Sequence, residues 1–209
     1  MSSLSQDWIV LKFGGTSVST LERWETIAQV LRECVDEGKR PFVVCSALSG
    51  ISNALEALVE QAPNGDYKPV VDTIEARHRE LAADLEVDVD ALLGGFFAEL
   101  ERLALGASLV GEASPRFQAR VLAMGELMST TLGAAFLERV GVTSAWRDAR
   151  KMLRAIDEPN IRLQRRYLSA ACESAPDEAL QTSLAESDAE VFVTQGFIAS
   201  DAAGDTVLL

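Results

Sequence analysis

The chain has 209 residues, 48% of them hydrophobic, and a formal net charge of −13. That length suits one large domain with enough apolar material for a core. The acidic balance argues against nucleic acid and anionic membrane as partners, and no apolar run reaches the length of a membrane span. The amino end, MSSLSQDW, lacks the basic and apolar parts of a signal segment. Cys34, Cys45 and Cys172 show no metal-ligand spacing and leave one over if paired, so reduced thiols and a cytoplasmic location are expected. The single histidine, His78, argues against a His-based metal site or a Ser-His-Asp triad.

The first element is WIVLKFGGTSV at 8–18. Its apolar run, stopped by Gly14-Gly15, reads as a buried strand of a parallel sheet. Lys12 then falls at the carboxyl edge, where open α/β sheets bind ligands. A lysine, two residues without Cβ, and the hydroxyls of Thr16 and Ser17 together suit a phosphate cradle. The bland alternative is a plain turn beside a solvated lysine. Neither GxxxxGK[ST] nor GxGxxG occurs in the chain.

Ser19-Thr20-Leu21-Glu22 matches a capping box, and Leu21, Trp24, Ala28, Leu31 and Val35 repeat at helical spacing. Gly38 and Pro41 end that helix and lead into a second buried strand at 42–45, completing a βαβ unit. Residues 46–53 form a second small, hydroxyl-rich loop that runs into a helix stopped by Pro63-Asn64-Gly65. Adjacent parallel strands place both loops on one crevice, with helix amino ends aimed into it. Ser and Asn in this loop serve equally well as simple caps. Residues 67–105 read as a helical pair, with His78 a hydrogen-bonded helix residue, and 106–112 as a loop.

Ser114-Pro115 opens a long helix to about Val140. On it Glu126, Thr130 and Gly133 share one face, with room beside the carboxylate; Glu126 is either solvated or a contact for a cationic ligand group. Residues 142–146 read as a strand. The polar stretch 151–190 carries helical segments near 161–172 and 178–184. A strand at 191–193 follows, then a hairpin-like turn at 203–205 and a strand from Thr206.

Four stretches in order, KFGGTSV at 12–18, SALSGISNAL at 46–55, MGELMST at 124–130 and VTQGFIAS at 193–200, resemble the aspartate kinase family. The resemblance covers nearly the whole chain, and KFGGTSV is its most specific part. It implies the amino acid kinase (carbamate kinase-like) fold, a three-layer αβα sandwich around a mainly parallel sheet. It implies phosphoryl transfer from MgATP to the side-chain carboxylate of L-aspartate. Carried over, Lys12 is the catalytic lysine, and Lys12, Gly14, Gly15, Thr16 and Ser46 face the ATP phosphates. Ser46, Ser52, Glu126 and Phe197 face the aspartate, Glu126 through the ammonium and Phe197 through its backbone. Ser52 stands where many members have threonine.

The family's glycine-rich GRGGSD segment, which supplies a substrate arginine and a catalytic aspartate, does not follow the strand at 206–209. Residues 1–209 therefore read as the amino-acid-substrate and phosphate-binding half of the kinase domain, without the nucleotide-binding half or ACT domains. As such a fragment the chain is expected to be inactive alone, with no Mg2+ ligands identifiable in it, and homo-oligomeric in the intact protein. Two other readings stay open. One is an amino acid kinase-fold enzyme acting on glutamate, acetylglutamate or a nucleotide; the other is a non-catalytic anion-binding module.

Overall fold

The computed structural model describes residues 7–158 and 160–209. The stretch read for a signal segment therefore lies mostly outside the described residues. Four strands form one parallel sheet in the order β1 (Asp7–Phe13), β2 (Lys39–Cys45), β4 (Val191–Gln195), β3 (Ser144–Trp146). Between β1 and β2 runs α1 (Leu21–Asp36), and β2 leads to α2 (Ile51–Gln61). Then come α3 (Lys68–Asp84), α4 (Val89–Val110) and α5 (Pro115–Arg139), which precede β3. Short helices α6 (Ala149–Met152), α7 (Leu163–Leu168) and α8 (Glu178–Ala185) lie between β3 and β4. An antiparallel hairpin of β5 (Ile198–Ser200) and β6 (Thr206–Leu208) closes the described chain.

The sheet has a helical layer on each side, as the sandwich expectation requires. Val43, Cys45, Val191 and Val193 point into the main core with Trp24, Leu31, Leu55 and the α5 side chains. Phe42, Phe192 and Ala145 point the other way and meet Leu180 and Leu184 of α8. Alternate residues of β2 and β4 thus serve opposite layers, which is why both strands read as unbroken apolar runs.

β1 departs from the buried strand that its composition predicts. It is an edge strand, and its residues alternate between exposed and half-buried. Leu11 and Phe13 pack on the core, whereas Val10 is 68% exposed. Trp8 shares the open face but leans on Phe192, with ring centroids 5.7 Å apart, and the Arg40 guanidinium lies 5.0 Å from its ring.

Three other readings shift. The α1 cap is Thr20, not Ser19: its hydroxyl accepts from the Arg23 N–H. α4 continues through Gly106, where the sequence predicts the start of a loop, to Val110, and ends at Gly111 in the left-handed region at φ 78°. A mid-helix glycine costs only about 1 kcal/mol, and Ala104 and Ala107, buried on either side of it, offset that. The helix near 161–172 shrinks to α7, and α6 appears where the sequence shows no apolar period. His78 is a helix residue as expected: its Nδ1 meets the Ile74 carbonyl at 2.7 Å, and its ring packs edge-on to Phe97. Among the described residues, no helix is long and apolar enough to cross a membrane.

Candidate active site

The carboxyl ends of β1, β2 and β4 open on a cleft of about 370 Å³. Lys12, Ser46, Ser52, Glu126 and Phe197 all line it. Each arrives from a different element. Lys12 is the penultimate residue of β1, Ser46 follows β2, Ser52 lies in the first turn of α2, Glu126 in mid-α5, and Phe197 in the turn between β4 and β5. A separate cavity of about 340 Å³ beside Arg166 and Asp201 is lined by none of them.

The two loops of the βαβ unit are fastened together. The Ser46 N–H donates to the Phe13 carbonyl at 3.1 Å. The Ser19 hydroxyl, not needed as a cap, donates to the Gly15 carbonyl at 2.6 Å and accepts from the Ser49 N–H at 2.8 Å. A Cβ on Gly15 would sit 2.7 Å from the Ala47 carbonyl oxygen, so the loops approach more closely than any side chain permits. Gly14 is different, since a Cβ there would meet nothing within 4 Å. Gly14, Gly15 and Thr16 stand outside the set of residues lining the cleft. Nor do Ser and Asn side chains cap α2: its cap is Gly50, at φ 84°, without a side-chain bond.

Glu126 is buried because α5 is buried on every side from Ala123 through Thr130. Such a helix belongs to the core, and a carboxylate in it needs donors. Glu126 Oε2 accepts from the Gly196 N–H at 3.0 Å and the Phe197 N–H at 2.8 Å. Burial holds its pKa above the usual carboxylate range, while those two amides and the Lys12 ammonium pull it back. Cys45 behind it is pushed up to about 12, first by burial and then by the Glu126 charge, so its thiol stays protonated. The room that Gly133 makes is not beside the carboxylate. A Cβ there would come 1.9 Å from the Trp24 ring, so Gly133 admits the indole.

The structure adds contacts that the motifs do not specify. Glu56 lines the cleft one helical turn beyond Ser52; the i, i+4 spacing is the signal that could have found it. Ser129 donates to the Ser46 carbonyl at 2.6 Å, tying α5 to the second loop. Thr130 bonds Gln195 and Trp146.

A parallel sheet between helical layers, with a lysine, hydroxyls and a buried carboxylate gathered on one cleft beside its strand ends, defines the class of open α/β proteins that bind ligands there. The chain belongs to the amino acid kinase family, which it matches over residues 7–209. Among its relatives, the lysine-sensitive aspartokinase 3 of Escherichia coli is 32% identical over 211 residues, spanning 96% of this chain and 43% of that protein. The chloroplastic bifunctional aspartokinase/homoserine dehydrogenase 1 of Arabidopsis thaliana is 28% identical, over 92% of this chain and 21% of its own length. The crystal structure of E. coli aspartokinase III in complex with aspartate and ADP superposes with a TM-score of 0.77 at 30% identity, over 98% of this chain and 43% of that one. The chain thus spans less than half the length of these relatives.

Proposed function

We propose that this chain is the substrate-binding part of an ATP-dependent aspartate kinase, which transfers the γ-phosphoryl group to the side-chain carboxylate of L-aspartate and yields 4-phospho-L-aspartate. That product would open lysine, threonine and methionine biosynthesis. The observation that carries the reading is Glu126, whose Oε2 is fixed by two backbone amides while Lys12 faces the same cleft. Among the described residues, Glu126 Oε1 accepts no hydrogen bond, so one lone-pair edge is left for a ligand ammonium.

The chemistry suits this inventory. A free aspartate side chain ordinarily titrates at about 4, so it is an anionic nucleophile at neutral pH and needs no general base. What it needs is in-line placement and charge neutralisation. Lys12 would neutralise the transferring phosphoryl oxygens. Ser46 would sit between phosphate and acceptor, Ser52 and the Phe197 backbone would border the aspartate, and Glu126 would hold its ammonium. Gly14, Gly15 and Thr16 would follow the ATP phosphates, an assignment that rests on motif correspondence. ATP would enter with Mg2+; among the described residues no group of three His, Cys, Asp or Glu side chains is placed to hold a metal. A cytoplasmic location and a homo-oligomer complete the proposal.

The test is an ATP-dependent acyl-phosphate assay of the protein carrying this chain, with L-aspartate beside L-glutamate. Turnover with aspartate alone is expected. Turnover with glutamate, acetylglutamate or a nucleotide instead moves the assignment within the family, and binding without turnover favours an anion-binding module. Lys12→Ala should lower kcat by a factor equivalent to about 3 kcal/mol or more, while circular dichroism stays unchanged. Near-normal turnover would remove Lys12 from the mechanism.

A further inference from the structure

Glu126 and the amides that hold it belong to different elements. The carboxylate rides on α5, and the Gly196 and Phe197 N–H groups lie just past the end of β4. Something must set the register between them, because a shift of about 1 Å would break both bonds.

The last residue of β4, Gln195, is 1% exposed and uses both ends of its amide. Its Oε1 accepts from the Ala149 N–H at 2.8 Å, and its Nε2 donates to Thr130 Oγ1 at 2.7 Å. The orientation is not arbitrary: the Ala149 N–H can only donate, so the oxygen must face it. Thr130 is fully buried, one helical turn beyond Glu126. Its hydroxyl donates to the Glu126 carbonyl at 2.7 Å and also accepts from Trp146 Nε1 at 2.9 Å. One donor and two acceptor sites are therefore all in use, which is the full capacity of a hydroxyl. The chain of bonds runs from the helix turn that bears Glu126, through Thr130 and Gln195, to the strand end that carries the amide pair.

We infer that Gln195 is a positioning residue: through Thr130 it locks the end of β4 to α5, so that the Gly196–Phe197 amides meet Glu126. Its bearing on aspartate binding rests on the function proposed above; its bearing on the carboxylate does not. The ionisable groups around Glu126 are Lys12 on β1, Cys45 on β2 and Glu56 on α2. None of them changes when Gln195 is replaced, so a displaced amide pair leaves burial less opposed.

The experiment is a 13C NMR titration of the Glu126 side-chain carboxyl in the protein carrying this chain, with L-aspartate affinity measured alongside. Gln195→Met keeps length and bulk and removes both polar ends. The Glu126 midpoint should rise by about one pH unit, the scale of a lost hydrogen-bond pair, and L-aspartate affinity should fall about tenfold. Thr130→Val should act likewise through the other end of the bond and serves if Gln195→Met does not fold. Thr130→Ser, which keeps the hydroxyl, should restore the wild-type midpoint. The midpoint decides. If thermal stability falls in both replacements while the midpoint stays put, Gln195 is only a structural clamp and the inference is overturned. If the midpoint moves but the unaltered protein carrying this chain does not bind L-aspartate, the positioning role stands and the substrate assignment fails.

Discussion

The two walls of the cleft are built on different physics. One is α5, where Ala123 through Thr130 are buried without a break and small residues let neighbours close in. A Cβ on Gly125 would lie 2.8 Å from that of Ala47, and one on Gly133 inside the Trp24 ring. The other wall is the base of the β5–β6 hairpin, where the Leu209 N–H donates to the Phe197 carbonyl at 2.9 Å. The segment around that hairpin is tied by charge. Arg150 holds Asp148, Arg166 holds Asp201, and Arg154 reaches the Ser200 hydroxyl. Packing of the first kind tolerates no added volume and ignores salt; ties of the second kind are partly solvated and yield to pH and ionic strength.

The sharpest way to break the comparison is to add volume to the packed wall. Gly133→Val should destabilise by about 3 kcal/mol or more through overpacking against Trp24, seen as a large fall in Tm. Gly14→Ala, where a Cβ meets nothing within 4 Å, should leave Tm almost unchanged. A small effect at Gly133 would mean that the indole can move aside, and the contrast between walls would fail.

Acid probes the packed layer next. Burial lowers the His78 pKa to about 4 from its ordinary value near 6.5. Since the folded value is depressed, the unfolded chain binds more protons between these limits. The neutral imidazole therefore contributes fully above pH 6.5, and that contribution is lost as pH falls toward 4. The total is up to about 3 kcal/mol. Subtracting the pH profile of His78→Met from that of the wild type should isolate this slope. Parallel profiles would show that the ring is not held neutral.

The charged wall should respond locally. Asp201 is buried, which alone would raise its pKa, but Arg166 and the Asp205 and Ala203 amides prevail and hold it below the usual range. Its contribution is therefore present above the ordinary carboxylate pKa and lost as pH falls through the depressed one. Asp201→Ala should loosen the hairpin by about 2 kcal/mol, since two backbone donors lose their acceptor. Faster hydrogen exchange at Ala203 and Asp205, with Tm nearly constant, is the expected pattern. An equally large fall in Tm would mean that the two walls unfold as one.

Much of the architecture is legible in the sequence, and the limits have physical causes. Hydrophobic period and glycine stops place β1, β2, β4 and α1 through α5, and motif resemblance selects Lys12, Ser46, Ser52, Glu126 and Phe197, which the fold gathers on one cleft. Periodicity says which residues share a face but not what lies opposite. Gly133 therefore reads as space beside Glu126, although Trp24 occupies it. Composition also cannot tell a central strand from an edge strand, so the open face of β1 leaves no mark in the sequence. In 151–190 the holding forces are ion pairs and side-chain bonds to distant backbone, such as Arg154 to Asp201, and these leave no local pattern.

The bond from Ser19 to Gly15 and Ser49 carries a consequence for recognition. With one hydroxyl spanning both glycine-containing loops, the two rims cannot wander separately. Their ordering entropy is settled when the domain folds, not when a ligand arrives. An anion entering the crevice then meets a frame already assembled, and its affinity reflects contacts made instead of loops gathered.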